Sequence, residues 1–169
     1  MLMEEIMSTT AAQEQHKIDV HEQAHNDAHA GGLNASERTA MVMDAAKHGQ
    51  ITQLREQLLS AGTDVNARDE YEDTALIVAA RNGRTGIVKE LLQVTGIEVN
   101  ARRPLGKTAL MHAAKNGKIE MVKDLLNVPG IDLNVIDKYS KSALMYAEEE
   151  SHTEIVRMLQ NAVQAGTGC

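Results

Sequence analysis

The sequence predicts an all-α solenoid of stacked helix-turn-helix units with short projecting β-hairpins or loops. The first observation behind this is a fixed interval of 34 residues, which links Thr74 to Thr108 and Ser142, Leu76 to Leu110 and Leu144, Ala79 to Ala113 and Ala147, and Val88 to Val122 and Val156. The same step joins Gly49, Gly83 and Gly117, and also Asn66, Asn100 and Asn134, so one register runs through four copies without a gap. Internal periods in the low thirties belong to solenoids, whose units bury their apolar faces only against one another. The second observation is a pair of apolar stripes of helical period in each copy. In the third copy Leu110, Ala113 and Ala114 form one, and Ile119, Val122, Leu125 and Leu126 form the other. The third is the stretch between copies, such as 131–141, where apolar and polar residues alternate before turn-forming residues, the pattern of a short extended hairpin.

Residues 1–34 form a polar leader containing Gly31-Gly32 near its end. Thr10 and Gln13 have capping-box spacing, which predicts a helix over about 10–29. On that helix His21, His25 and His29 would share one face, with His16 slightly off it. Such a strip fits a nickel or zinc site, or a patch that charges below about pH 6.5. No carboxylate or cysteine completes a site, so these three are the metal candidates of the chain and the simpler reading is a solvated segment.

The repeats follow at approximately 35–68, 69–102, 103–137 and 138–162, with a tail from 163 to 169. In the last three, Thr74, Thr108 or Ser142 is placed to cap the first helix, and in the first repeat Asn34 or Ser36 can do so. Gly83 and Gly117 mark the reversal into the second, because glycine takes left-handed dihedrals without steric cost. Asp44, Gln53 and Gln57 stand at positions that are apolar in one or more inner copies, which suits a terminal layer with one face in water. At the other end Glu148, Glu149, Glu150 and Ser151 replace the Ala-Lys-Asn-Gly of 114–117, marking the C-terminal cap.

The segments TALIVAARNG, TALMHAAKNG and GIEVNARRPLGKTAL resemble the ankyrin repeat over about residues 35–162. The resemblance implies stacked helix pairs, projecting fingers, and a non-catalytic role in binding a protein through finger tips and a concave helix surface. Two departures stand out. Alanine occupies 75, 109 and 143 where that family usually has proline, and Ile77, Met111 and Met145 replace its usual histidine, removing that histidine's inter-repeat hydrogen bonds.

Composition narrows the field further. The chain has no Phe and no Trp, so its core must come from Leu, Val, Ile, Met and Ala. Its single cysteine, Cys169, excludes a disulfide framework and a cysteine-based zinc site. No cofactor is expected, and no apolar run approaches the roughly 18 residues of a membrane span. The acidic N-terminal stretch lacks the pattern of a secretory signal, so a cytoplasmic protein is expected, with nuclear residence or delivery by a secretion system as alternatives. The net charge of −7 argues against nucleic acid as partner. Six acids against Lys17 in residues 1–35 account for −5 of it, leaving −2 for the remainder.

Binding residues are expected on the fingers and on the first helices, with the chain monomeric by itself. Tyr71, Leu105 and Tyr139 align at the finger tips and form an apolar row. Around them Glu70 and Asp73 make the first tip acidic, while Arg102, Arg103 and Lys107 in the second and Lys141 in the third are basic. Arg81, Asn82, His112, Lys115 and Asn116 are expected to face the groove. His112 has catalytic character, but no serine, cysteine or paired carboxylate stands at a matching spacing, so no catalytic residue is assigned. Two other readings are a metal- or pH-responsive regulator working through the leader, and a secreted bacterial effector acting on a host protein.

Overall fold

The computed structural model describes residues 33–166. The chain divides into two units, residues 1–34 and 35–169, and all eight helices of the described residues lie in the second. The helix expected over about 10–29 and the strip of His21, His25 and His29 lie outside the described residues. The helices are α1 (Ala35–His48), α2 (Ile51–Leu59), α3 (Ala75–Arg81), α4 (Thr85–Leu91), α5 (Ala109–Lys115), α6 (Ile119–Leu126), α7 (Ala143–Glu149) and α8 (Thr153–Gly166). None is long and apolar enough to cross a membrane.

The local chemistry of each repeat is that of the sequence pattern. Thr74, Thr108 and Ser142 each accept a hydrogen bond through the side-chain oxygen, from the amides of Ile77, Met111 and Met145, at 3.4, 3.3 and 3.3 Å. Each bond satisfies one of the amides left unpaired at a helix start. The reversal into the second helix takes φ +67° at both Gly83 and Gly117. In the last repeat Ser151 adopts φ +58° at that position and bears the strain glycine avoids.

The odd-numbered helices stack in one row, α1 to α3 to α5 to α7, and the even-numbered in a second, α2 to α4 to α6 to α8. Helices of seven or eight residues do not persist alone in water, and their stability comes from this packing. Every residue of α3 from Ala75 to Ala80, and of α5 from Ala109 to Ala114, is buried. Leu54, Ile87, Leu91, Met121, Leu125, Ile155 and Leu159 fill the second row. The end layers behave as ends. Met111 is 1% exposed, whereas its copy Met145 is 47% exposed because no layer follows it.

Gln57 departs from expectation. Asp44 is exposed as the pattern implied, but Gln57 is buried and its Oε1 has no hydrogen-bond partner. It occupies the column of Leu91, Leu125 and Leu159, all buried. A buried amide oxygen without a partner costs free energy, so Gln57→Leu should raise stability by about 1 kcal/mol. Urea unfolding followed by far-UV circular dichroism checks this, since the chain has no Trp to report by fluorescence. A lower midpoint in the variant would show that the oxygen is satisfied in solution.

The contacts between repeats include a polar set the sequence did not announce. With Ile77, Met111 and Met145 in place of histidine, two asparagines clip successive repeats together. Asn66 donates to the carbonyl of Gly96 at 2.8 Å and accepts from the amide of Glu98 at 2.9 Å. Asn100 does the same to Gly130 and Asp132, at 2.7 and 2.9 Å. Arg68 and Arg102 donate to the carbonyls of Arg102 and Ile136, at 3.0 and 2.8 Å.

Two further details differ from the sequence pattern. The expected β-hairpins are tight turns, and the described residues contain one isolated antiparallel bridge, Arg68 with Thr74. Ile131, Leu133 and Val135 do pack against the core, but side chains such as Asn100 bond that backbone where a second strand was expected. Helix α8 also continues through Gly166, where a tail from 163 was expected.

Candidate functional site

The fingers begin as local turns. In the first, the Asp69 carboxylate accepts from the amides of Tyr71 and Asp73, both at 2.9 Å. In the third, Asp137 Oδ1 accepts from those of Tyr139 and Lys141, at 2.9 and 3.0 Å. The second finger carries Arg103 at this position and closes through its backbone, with Gly106 N–H donating to Arg103 O at 2.7 Å. All three tips turn through left-handed backbone, at Glu72 (φ +61°), Gly106 (φ +82°) and Ser140 (φ +58°). At Gly106 a Cβ would come within 3.1 Å of the Asp137 Cα, so the second tip lies close against the third. The amide of Lys138 also donates to the carbonyl of Leu105 at 3.0 Å.

These turns place Tyr71, Leu105 and Tyr139 in water, at 60, 39 and 61% exposure. Glu70 and Arg102 are exposed beside them, although Arg102 also holds the Ile136 carbonyl. Asp73 corrects the sequence reading. It is fully buried, not a tip charge, with Arg81 Nη1 at 2.8 Å from Oδ2 and Arg103 Nε at 3.0 Å from Oδ1. Burial raises its carboxyl above the usual range against the pull of these two guanidiniums.

The concave side runs from an open cleft of about 620 Å³ to a cationic patch. The cleft lies between the first finger and the first two odd-numbered helices, with Asp44, Lys47, Tyr71, Val78 and Arg81 on its walls. Farther along, Tyr146 donates to Asp137 Oδ2 at 2.6 Å and is covered by lysines. Lys107, Lys141 and Lys115 stand 4.7, 5.6 and 5.8 Å from its ring centroid, within cation–π range. Burial would raise the Asp137 carboxyl, but the Tyr146 hydroxyl and the Lys141 and Tyr139 amides outweigh it and hold it below the usual range.

His112 is a second correction. Its column faces the groove, yet the side chain is 9% exposed and its Nε2 is buried without a partner. Burial first, then the charges of Lys107, Arg103, Arg81 and Lys115, lower its pKa to about 4. It is therefore neutral at physiological pH. Asn116 and Asn82 are also engaged within the chain. The first donates to the carbonyls of Arg81 and Ala80, at 3.1 and 3.4 Å, and the second to Val78 O at 2.8 Å. Lys115 stays exposed, and Lys107 and Lys141 are half-buried.

The sequence pattern did not single out Asp137 and marked Glu149 only as part of the C-terminal cap; they pair with Tyr146 and Lys141 respectively. The recurrence of aspartate at 69 and 137 was the available signal. Among the described residues, no group of three or more His, Cys, Asp or Glu side chains could hold a metal ion. Residues 9–103, 42–137 and 95–167 each match the family model described as ankyrin repeats (3 copies). No curated protein matches the chain.

Proposed function

Because the chain belongs to the ankyrin repeat family, we propose that it is a non-catalytic interaction module that binds a protein partner through its finger tips and concave helix face. Proteins of this family generally mediate protein–protein binding, and the choice of surface is our own reading. The observation that carries it is the row of Tyr71, Leu105 and Tyr139. Three side chains stand in water at the same position of successive fingers, the first and third on turns braced by the Asp69 and Asp137 carboxylates and the second on a turn closed by its backbone. Tyrosine is among the commonest interface anchors, since it brings large area with few rotatable bonds. Glu70 and Arg102 beside the row differ in sign and would orient a partner along the stack.

The test is affinity capture from lysate with the full chain, run beside Tyr71→Ala/Leu105→Ala/Tyr139→Ala and read by mass spectrometry. These side chains are exposed, so the variant should keep its native circular dichroism and melting temperature. Loss of two or three anchors should weaken a specific partner by roughly a hundredfold or more. Identical sets of retained proteins from both chains would reject the finger tips as the binding surface.

A further inference from the structure

Each of the last three repeats carries two positions eight residues apart, one at the base of the finger and one on the first helix. In the second repeat they are Asp73 and Arg81, ion-paired at 2.8 Å. In the fourth they are Lys141 and Glu149, again ion-paired. In the third they are Lys107 and Lys115, and both are cations. Among the described residues Lys107 has no carboxylate within ion-pair distance, and Lys115 reaches Glu150 only at 4.0 Å. Arg81 and Arg103 next to them are already taken by Asp73. Burial and the charge of Lys115 hold the Lys107 ammonium below its usual range against the pull of Asp137, whose carboxylate is already engaged by the Tyr146 hydroxyl and two backbone amides. His112 adds a polar atom to the same place, since its Nε2 is buried, unpartnered and in the field of both lysines.

We infer that the groove of the third repeat binds a carboxylate side chain of an acidic peptide segment from a partner protein, between Lys107 and Lys115 and beside His112. This rests on the interaction-module reading and gives the chemistry of what is bound. The missing charge has the size and sign of the acids present one repeat before and one repeat after. Two cations whose nearest carboxylates are distant or already engaged favour a carboxylate brought by a ligand. A nucleic-acid strand fits less well. Asp69, Glu70 and Glu72 on the first finger would repel an extended polyphosphate, and residues 36–169 have a net charge of −2.

The probe is a fluorescein-labelled peptide of Glu, Gly and Ser, with a counterpart in which every Glu is Gln, titrated with the full chain and read by anisotropy. The acidic peptide should bind and its Gln counterpart should not. Lys107→Gln and Lys115→Gln should each weaken binding roughly tenfold, while Lys89→Gln, the same charge change on α4, leaves it unaltered. Lys115→Glu is the decisive variant. It rebuilds the arrangement of Lys141 with Glu149, so it should abolish peptide binding with no loss in melting temperature.

Equal binding of the two peptides, or native affinity in Lys115→Glu, overturns the inference. A salt-sensitive dimer dissociated by Lys115→Glu would assign the site to a second copy and overturn it as well. Failure here is separable from failure of the module. A partner lost on the finger-tip variant but kept by Lys115→Glu would preserve the binding surface and remove the carboxylate site.

Discussion

Between about pH 7 and pH 4 the repeat domain should lose about 3 kcal/mol of stability through His112 alone. The folded chain lowers this imidazole to about 4, by burial and by the cations of Lys107, Arg103, Arg81 and Lys115. The unfolded chain leaves it near 6.5. Across that window the unfolded state binds the proton and the folded state does not, so stability falls as pH falls, and the loss is complete below about 4. Asp137 and Glu90, both held below their usual range, act in the same direction at lower pH. Asp73 is held above its range and opposes them. The groups around the ring remain in a His112→Gln chain, so the difference between the two pH profiles isolates the imidazole. Urea midpoints across the window supply both. Parallel profiles would mean that His112 is solvated in the folded state.

Asp137→Ala should cost about 3 kcal/mol, among the largest losses available to a polar substitution in this chain. One buried carboxylate accepts from two backbone amides that shape the third finger and from the Tyr146 hydroxyl that floors the groove. Its removal frees the turn and leaves the phenol without its partner. Asp137→Asn keeps an acceptor for the amides and should cost about half as much. Tyr146→Phe, which removes one bond, should cost about 1 kcal/mol. A double-mutant cycle between 137 and 146, measured by urea unfolding, gives the coupling. Coupling near zero would show that the hydroxyl is equally well satisfied by water.

Much of the architecture was legible because repetition separates signal from accident. One threonine before an apolar run is a weak cap signal, whereas Thr74, Thr108 and Ser142 in register are a strong one, and all three make the bond. The finger-tip row was legible for the same reason. Charges were harder, because an aspartate at a tip and one buried beside two arginines read alike in one dimension, and so Asp73 was misplaced. The column of His112 could be read, but its depth is set by neighbouring side chains such as Lys107 and Tyr146. Asn66 and Asn100 were visible as register marks. Their bonding partners, about thirty residues ahead, depend on how closely the layers approach.

The asparagine clips also give the stack a direction. Asn66 fastens the first repeat to the second and Asn100 the second to the third, each gripping the loop after the next even-numbered helix. Asn134 is next in the series, but where its loop should lie, one interval beyond Gly130, the chain is still inside α8. The last junction therefore lacks the fastening that the two before it have. Under tension at the two ends the repeats are loaded in series, and the last junction is held by other bonds, the Lys138 amide on the Leu105 carbonyl and His152 Nε2 against the Lys115 carbonyl. Each repeat lost would release 34 residues, about 110–120 Å of contour, so the uniform register sets one step length for the whole stack.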